Sequence, residues 1–392
     1  MRFVRPQVFA IAVVAAVLGA GVALAVGGLT GLTDGASTTV LVESAATTPA
    51  TPVSARPLTG NGFDPAVIYA RRAPGVVTIY ADFGGEGQSQ GSGFVVDATG
   101  AILTNAHVVT NVAEAQGRDI RGADSVYVEF KDRDRVPAKI VGWDLFSDVA
   151  VIRVDPKAHG LAPVPLGTSA TVIVGTPVAA IGSPFNEQSS LSVGVVSAID
   201  RRIDSLTSGY SIADAIQVDA PINRGNSGGP LFDARGRVIG INAQIRSTSG
   251  TAEGVGFAIP IDTARRALEQ LVRTGRVSYA YIGVTTQDVT PGVARKFGFA
   301  TPRGALVARV EPNTPAARAG LRGGTRTVRF NGVEYSIGGD LIIRIGTTPI
   351  SDAQDVSRAV AARIVGQRVP FTILRDGKSR RVVVLRLSDR PA

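Results

Sequence analysis

The chain has 392 residues, 44% hydrophobic and 19% charged, enough for two core-forming domains with appendages and inconsistent with wholesale disorder. It contains no cysteine, which excludes disulfides, thiol nucleophiles, thiolate metal sites and cysteine-linked lipids; two histidines and no HExxH or EF-hand pattern leave no metal or cofactor to expect. The formal charge of +9 comes from scattered basic residues without an arginine-rich arm, so a nucleic-acid partner is not expected.

Taken in chain order, Arg2 and Arg5 precede an almost purely apolar run over residues 8–29. About 20 such residues span a hydrocarbon core of ~30 Å. The basic flank stays inside, which predicts a single-pass anchor within residues 1–32 and export of everything after it. Ala23-Leu24-Ala25 resembles a cleavage site, and cleavage would make the protein secreted, but the run exceeds the ~7–15 residues of a signal h-region. Residues 33–61 are rich in Ala, Thr and Pro and read as a flexible linker.

The body begins with a helical pattern over 65–72. Short β-type runs follow at 76–80, 93–96, 102–104, 125–130, 149–154, 178–181, 193–199, 215–218, 237–245 and 256–259, separated by turn residues. Short strands at this spacing predict a barrel or sandwich. A helix over 262–273, with Ala264, Ala267, Leu268 and Leu271 on one side, closes the series.

Three places in this body carry chemistry. His107 stands where a strand runs into a small-residue turn, and Asp148 precedes the apolar run 149–152, with Asp144 as a competing carboxylate four residues earlier. Asn223-Arg224-Gly225-Asn226-Ser227-Gly228-Gly229-Pro230-Leu231 surrounds a serine with glycines. A serine hydroxyl needs a base to become a nucleophile, and the oxyanion it generates needs preorganised donors. Glycines allow the N–H groups of Gly225 and Ser227 to turn towards one point. Gly225-x-Ser227-x-Gly229 also fits the elbow of α/β-hydrolases, but that fold places its histidine after the serine. Both His107 and His159 precede Ser227, and the order His, Asp, Ser is that of chymotrypsin-like double β-barrels. His159 lies in a polar loop and reads as exposed and incidental, which leaves His107 as the base and Asp148 as its orienting partner.

Thr104-Asn105-Ala106-His107-Val108-Val109, Ser147-Asp148-Val149-Ala150-Val151 and Gly225-Asn226-Ser227-Gly228-Gly229-Pro230-Leu231 resemble the three catalytic blocks of the HtrA/Deg family of trypsin-like serine proteases. Gly91-Ser92-Gly93-Phe94-Val95 resembles its entry strand, and Gly254-Val255-Gly256-Phe257-Ala258-Ile259-Pro260 the end of its protease domain. The resemblance implies a mainly β fold: a chymotrypsin-like double β-barrel protease domain over 62–274, then an α+β PDZ domain over 279–389, behind the N-terminal transmembrane helix. It implies cleavage of unfolded or signalling proteins outside the cytoplasm, an oxyanion hole at Gly225, Asn226 and Ser227, and homotrimers. The segment 197–201 resembles the family's activation loop, and Arg201 the arginine that helps order the oxyanion hole. Residues 247–255 are small and mostly uncharged, which fits an S1 pocket for modest aliphatic side chains. The loop over 81–90 is shorter than in cage-forming members, so a simple trimer is expected.

In the second domain, Tyr281-Ile282-Gly283-Val284 resembles the carboxylate-binding loop of HtrA-type PDZ domains, whose backbone N–H groups cap a peptide C-terminus. A helix over 352–364, with Val356, Val360 and Ile364 on a shared face, lines the groove in that family. Residues 325–337 form an insertion that reads as a hairpin turning at Asn331-Gly332. The competing function is a catalytically silent peptide-binding chaperone or scaffold, which an intact triad argues against.

Overall fold

The computed structural model describes residues 62–112, 120–183, 189–204, 207, 211–223, 225–243 and 255–391. The expected anchor and linker lie outside these residues. Among the described residues no helix is long and apolar enough to cross a membrane.

Helix α1 (Pro65–Arg72) starts where the Asp64 side chain accepts the Val67 N–H at 3.0 Å. It is followed by β1 (Val76–Asp82), β2 (Gln88–Val95), β3 (Ala101–Thr104), the one-turn helix α2 (Ala106–Val109), β4 (Ser125–Glu129), β5 (Arg135–Asp144) and β6 (Val149–Val154). These six strands close into an antiparallel barrel in the order β1-β2-β3-β6-β5-β4. A second barrel, ordered β10-β11-β12-β9-β8-β7, is built from β7 (Pro177–Gly182), β8 (Ser190–Asp204), β9 (Ser211–Val218), β10 (Pro230–Phe232), β11 (Val238–Ala243) and β12 (Gly256–Pro260). Helix α3 (Ile261–Thr274) then ends at Gly275 in a left-handed cap.

Strand alternation explains why these sequences read as nearly continuous apolar runs. In the first barrel Val77, Val95, Ile102 and Ile152 fill the interior. Their neighbours Val76, Phe94, Leu103 and Val151 point outward into a core shared with Ile181, Ile241 and Ile259 of the second barrel and Leu271 of α3. Successive side chains thus enter two different cores, and both faces are dry. Strands β5 and β10 escaped the sequence reading for opposite reasons. The first carries Arg135, Pro137 and Lys139 on an exposed face, and the second is only three residues long.

The second domain begins with β13 (Ala280–Tyr281), followed by β14 (Val284–Val289), helix α4 (Pro291–Phe297), β15 (Gly304–Val310) and helix α5 (Pro315–Arg318). Strands β16 (Arg326–Phe330) and β17 (Val333–Ile337) form a separate hairpin. After it come β18 (Leu341–Ile345), β19 (Thr348–Pro349), helix α6 (Ala353–Ala361), β20 (Arg368–Arg375), β21 (Ser379–Arg386) and β22 (Ser388–Asp389). The main sheet runs β14-β15-β18-β20-β21, which leaves β14 as an edge strand beside α6. The hairpin turns at Asn331 and Gly332 with φ of 48° and 80°, the paired left-handed conformation of a type I′ turn. It docks on β14 through the Gln287 side chain, which accepts the Ser336 N–H and donates to Glu334 O.

Two sequence expectations are corrected here. Helix α6 stops at Ala361, so Ile364 is 77% exposed rather than on the groove face. Gly366, at φ 87°, turns the chain into β20, and the helix closes before it. The segment 197–201 is part of the continuous strand β8, not a loop. Its register against β9 slips at three points, with Asp200 at φ 57° producing the irregularity.

Candidate active site

His107 is delivered by the end of β3. The strand is wholly buried, and Asn105 opens the one-turn helix that follows. The Asn105 side chain donates to Asp148 O at 2.7 Å, tying this turn to the one leading into β6. Asp148 sits at φ 54° and is 2% exposed. One of its carboxylate oxygens accepts the backbone N–H of His107 at 3.0 Å, and the other lies 2.7 Å from Nδ1 of the same residue. The ring therefore has its Nδ1 committed to the carboxylate and its Nε2 left for other work. Burial lowers the pKa of the His107 ring, but the charge and hydrogen bond of Asp148 outweigh this and leave it raised.

Asp144 has another task. Its side chain accepts the N–H groups of Phe146 and Ser147 at 3.1 and 3.2 Å, and also the hydroxyls of Ser147 and Tyr279. It thus holds the tight turn that ends at Asp148. Burial raises its pKa against the lowering effect of these donors. Tyr279 belongs to the segment entering the second domain. Its pKa is raised well above 10 by burial, with the Asp144 charge adding to the effect.

Ser227 comes from the second barrel. Gly228 sits at φ 84°, and a Cβ there would meet Ser92 O at 2.1 Å and Thr104 Oγ1 at 2.3 Å, so the close approach of the two barrels requires glycine. The loop is pinned by the Gly228 N–H to Asn242 O at 2.9 Å and the Asn242 N–H to Gly229 O at 2.8 Å. Ser92 completes the frame and is the residue that sequence reasoning missed. Its N–H donates to Ser227 O at 2.8 Å, its hydroxyl donates to Gly225 O at 2.6 Å, and it accepts the Ser183 N–H at 2.9 Å. The available signal was a hydroxyl between two glycines, just before the apolar end of its strand at Phe94 and Val95.

Within this frame Gly225 adopts φ 95°. The N–H groups of Gly225 and Ser227 have no acceptor among the described residues, whereas the Asn226 N–H donates to Asn223 O at 3.0 Å. Gly225 and Ser227 thus keep uncommitted N–H groups among the described residues, and Asn226 spends its N–H inside the turn. The Ser227 hydroxyl is buried and makes no hydrogen bond among the described residues. The serine loop thus packs against Ser92, Thr104 and Asn105 of the first barrel, and Ser227 and His107 share no hydrogen bond among the described residues. Arg201 is exposed and donates to Gln217 Oε1 at 3.0 Å, with no bond to the serine loop among the described residues. Residues 247–254 of the expected S1 wall lie outside the described residues. His159, expected to be exposed, is only 15% so; its ring stacks on Phe130 at 3.8 Å and Nε2 lies 3.0 Å from Asp132. That aromatic stack gives it a structural role.

The loop Tyr281–Val284 opens onto a cleft of about 400 Å³ shared by the two domains. Gly283, at φ 78°, turns the loop. Ile282 O and Gly283 O accept the N–H groups of Ala316 and Glu311, both at 2.9 Å. In a planar trans peptide the N–H points opposite to the carbonyl. The N–H groups of Gly283 and Val284 therefore turn away from residues 311–316, to a side where an anionic chain end can be capped. Ile282, Val356 and Val360 supply buried apolar lining. The opposite wall comes from the barrel domain, including Phe146, Ser147 and Ile212. Helix α6 is clamped there by Gln354, which donates to Asp200 O at 3.1 Å and Asp214 at 3.0 Å, and by Arg358 at 3.2 Å from Asp200.

Comparison with known proteins agrees with this architecture. Residues 91–241 match the family described as a trypsin-like peptidase domain, and residues 280–385 match the PDZ domain. The chain is 39% identical over 297 residues to "Protease Do-like 1, chloroplastic" of Arabidopsis thaliana, covering 76% of this chain and 63% of that protein. It is 42% identical over 278 residues to "Probable periplasmic serine endoprotease DegP-like" of Hahella chejuensis, covering 71% and 55% respectively. The chain thus spans less than two thirds of the length of these curated relatives. Among solved structures, "HtrA-type protease AlgW with tripeptide" superposes with a TM-score of 0.69 at 32% identity, covering 84% of this chain and 98% of that one.

Proposed function

Because the chain belongs to the HtrA/Deg family of trypsin-like serine proteases with a PDZ domain, we propose that it is a serine endopeptidase that cleaves unfolded or signalling proteins outside the cytoplasm. The observation that carries this reading is the two-point grip of Asp148 on His107, at 3.0 Å to its backbone and 2.7 Å to its ring, beside a buried serine on a glycine loop.

In this reading His107 Nε2 takes the Ser227 proton as Oγ attacks the scissile carbonyl. The oxyanion that forms is held by the N–H groups of Gly225 and Ser227, which are preorganised by the Ser92 bond to Gly225 O. His107 then protonates the leaving amine, and water repeats the sequence on the acyl-enzyme. Asp148 fixes the tautomer and stabilises the imidazolium. The PDZ domain presents Ile282, Gly283 and Val284 to a substrate or regulatory C-terminus, which adds as a strand beside β14. Tyr281 flanks that loop, and Arg201 remains the candidate for ordering the serine loop once the site closes.

The apolar run over 8–29 supports attachment to the cell membrane with both domains outside. The relatives named periplasmic support the same side. A homotrimer follows from family membership. Light scattering on the exported portion tests the trimer, and N-terminal sequencing of the mature protein tests the anchor.

The function is tested by incubating the full chain with unfolded casein beside a Ser227→Ala variant. Cleavage by the intact chain alone is expected. Equal cleavage by both would remove the triad assignment, and cleavage by neither, even with apolar C-terminal peptides added, would support the silent scaffold.

A further inference from the structure

The cleft between the two domains is lined by four arginines, Arg202, Arg266, Arg358 and Arg390, and by a single carboxylate, Asp214. That carboxylate is already engaged, by Gln354 at 3.0 Å and Arg358 at 3.7 Å. Arg358 is further occupied by Asp200 and Asp355, each at 3.2 Å. Arg390 lies over the Phe146 ring at 4.6 Å. Arg202 of β8 and Arg266 of α3 form no ion pair among the described residues; Arg266 bonds only to the Thr263 hydroxyl, at 3.2 Å. Both belong to the barrel domain, yet they face the groove of its neighbour. The charge of Arg266 also reaches Tyr279 and lowers its pKa, opposing the larger effect of burial. A terminal carboxylate is held by backbone N–H groups at the loop, which leaves these two guanidinium groups to be matched by something else.

The geometry of an added strand says what. Its last residue, beside Gly283 and Val284, turns its side chain into the apolar floor of Ile282, Val356 and Val360. Side chains along a strand alternate between faces. The penultimate side chain of such a strand would consequently leave the floor and enter the cleft that Arg202 and Arg266 line. We propose that this cleft selects peptides ending in a free apolar residue preceded by an acidic one, with Arg202 and Arg266 of the protease domain reading the acidic side chain. The proposal rests on the reading of the Tyr281–Val284 loop as a binder of peptide ends. It makes recognition a property of both domains, so that the bound peptide touches the turn bearing Ser147 as well as the PDZ domain.

The test is fluorescence anisotropy on the full chain carrying Ser227→Ala, which prevents probe cleavage. The probes are labelled decapeptides ending in Glu-Val, Gln-Val or Lys-Val, plus the Glu-Val peptide with an amidated C-terminus. Glu-Val is expected to bind about tenfold more tightly than Gln-Val at low salt, with Lys-Val weakest. The advantage should shrink several-fold at ~0.5 M salt, because the cleft is open to solvent. It should vanish in Arg202→Gln/Arg266→Gln, whose retained fold is checked by an unchanged melting temperature. Equal affinity for Glu-Val and Gln-Val would overturn the acidic preference while leaving the groove intact. A preference that survives in the double variant would overturn the assignment to these two arginines. If the amidated peptide binds as well as the free acid, the peptide-end reading beneath the proposal fails instead.

Discussion

The two halves of the candidate active site are built to different standards of completeness. On the first barrel the surroundings of His107 and Asp148 are densely bonded: two oxygens grip one residue, the Asn105 amide nitrogen ties the turns together, and Asp144 holds the tight turn with four donors. On the second barrel the backbone of the serine loop is held by Ser92, Asn223 and Asn242, while the Ser227 hydroxyl and two N–H groups are left without partners among the described residues. Unpaired buried polar groups cost about 1–3 kcal/mol each, and native sites that carry them hold them for a ligand or a transition state. The contrast separates an imidazole already held by its carboxylate from a serine hydroxyl that is held by nothing among the described residues.

The comparison is most sharply broken by Asp148→Asn, which leaves the geometry but stabilises the wrong tautomer. Turnover should fall by ~10⁴-fold with an unchanged circular-dichroism spectrum. The same residue sets the pH response. Because His107 has a raised pKa and must be neutral to act, the acid limb of kcat/KM should lie above the ordinary imidazole value of about 6.5. In stability terms, the charged pair contributes fully below the unfolded pKa and is lost as pH rises through the folded one. A limb at or below the ordinary value would mean that burial, not Asp148, dominates the ring.

Next in size is Gly228→Ala. The added methyl would strike Ser92 O and Thr104 Oγ1 in a backbone conformation disfavoured for alanine, displacing the donors of the serine loop. A loss of about 10²–10³-fold in kcat, with peptide binding to the PDZ cleft retained, is expected from misplacing an oxyanion donor. Ser92→Ala removes the hydroxyl that holds Gly225 O and should cost about tenfold in kcat. Both changes spare the His107–Asp148 pair, so the acid limb of the pH profile should stay in place. A shift in that limb would show that the two halves are not independent.

The smallest effect tests the other half. Tyr279→Phe removes one donor from Asp144 and should lower stability by about 1–2 kcal/mol, measured by urea unfolding, while kcat changes only a few-fold. A loss of kcat as large as that of Gly228→Ala would instead make the linker from the second domain part of the catalytic apparatus.

Much of the fold was legible because the strands obey simple alternation and the turns use residues with unusual backbone freedom. The Asn331-Gly332 hairpin and the helix starting at Pro65 follow directly from turn and cap chemistry. Strand β5 was hidden by its charged outer face, and the 197–201 part of β8 reads as a loop because Asp200 bulges the strand without ending it. Ile364 was placed on the groove by periodicity, although the helix had already ended.

By itself the sequence determined the chemistry-bearing residue types, their chain order and the exclusion of the elbow fold, since no histidine follows Ser227. Those properties are one-dimensional and survive without coordinates. Which of two nearby carboxylates meets the base was decided only in three dimensions. Asp148 and Asp144 differ by four positions, and the turn between them points one towards His107 and the other towards Tyr279. The tertiary structure likewise decided that Asn226 spends its N–H within its turn, that Ser92 frames the serine loop, and that arginines of one domain face the peptide cleft of the other. Each depends on residues distant in sequence meeting across a packed interface, and no local pattern encodes that meeting.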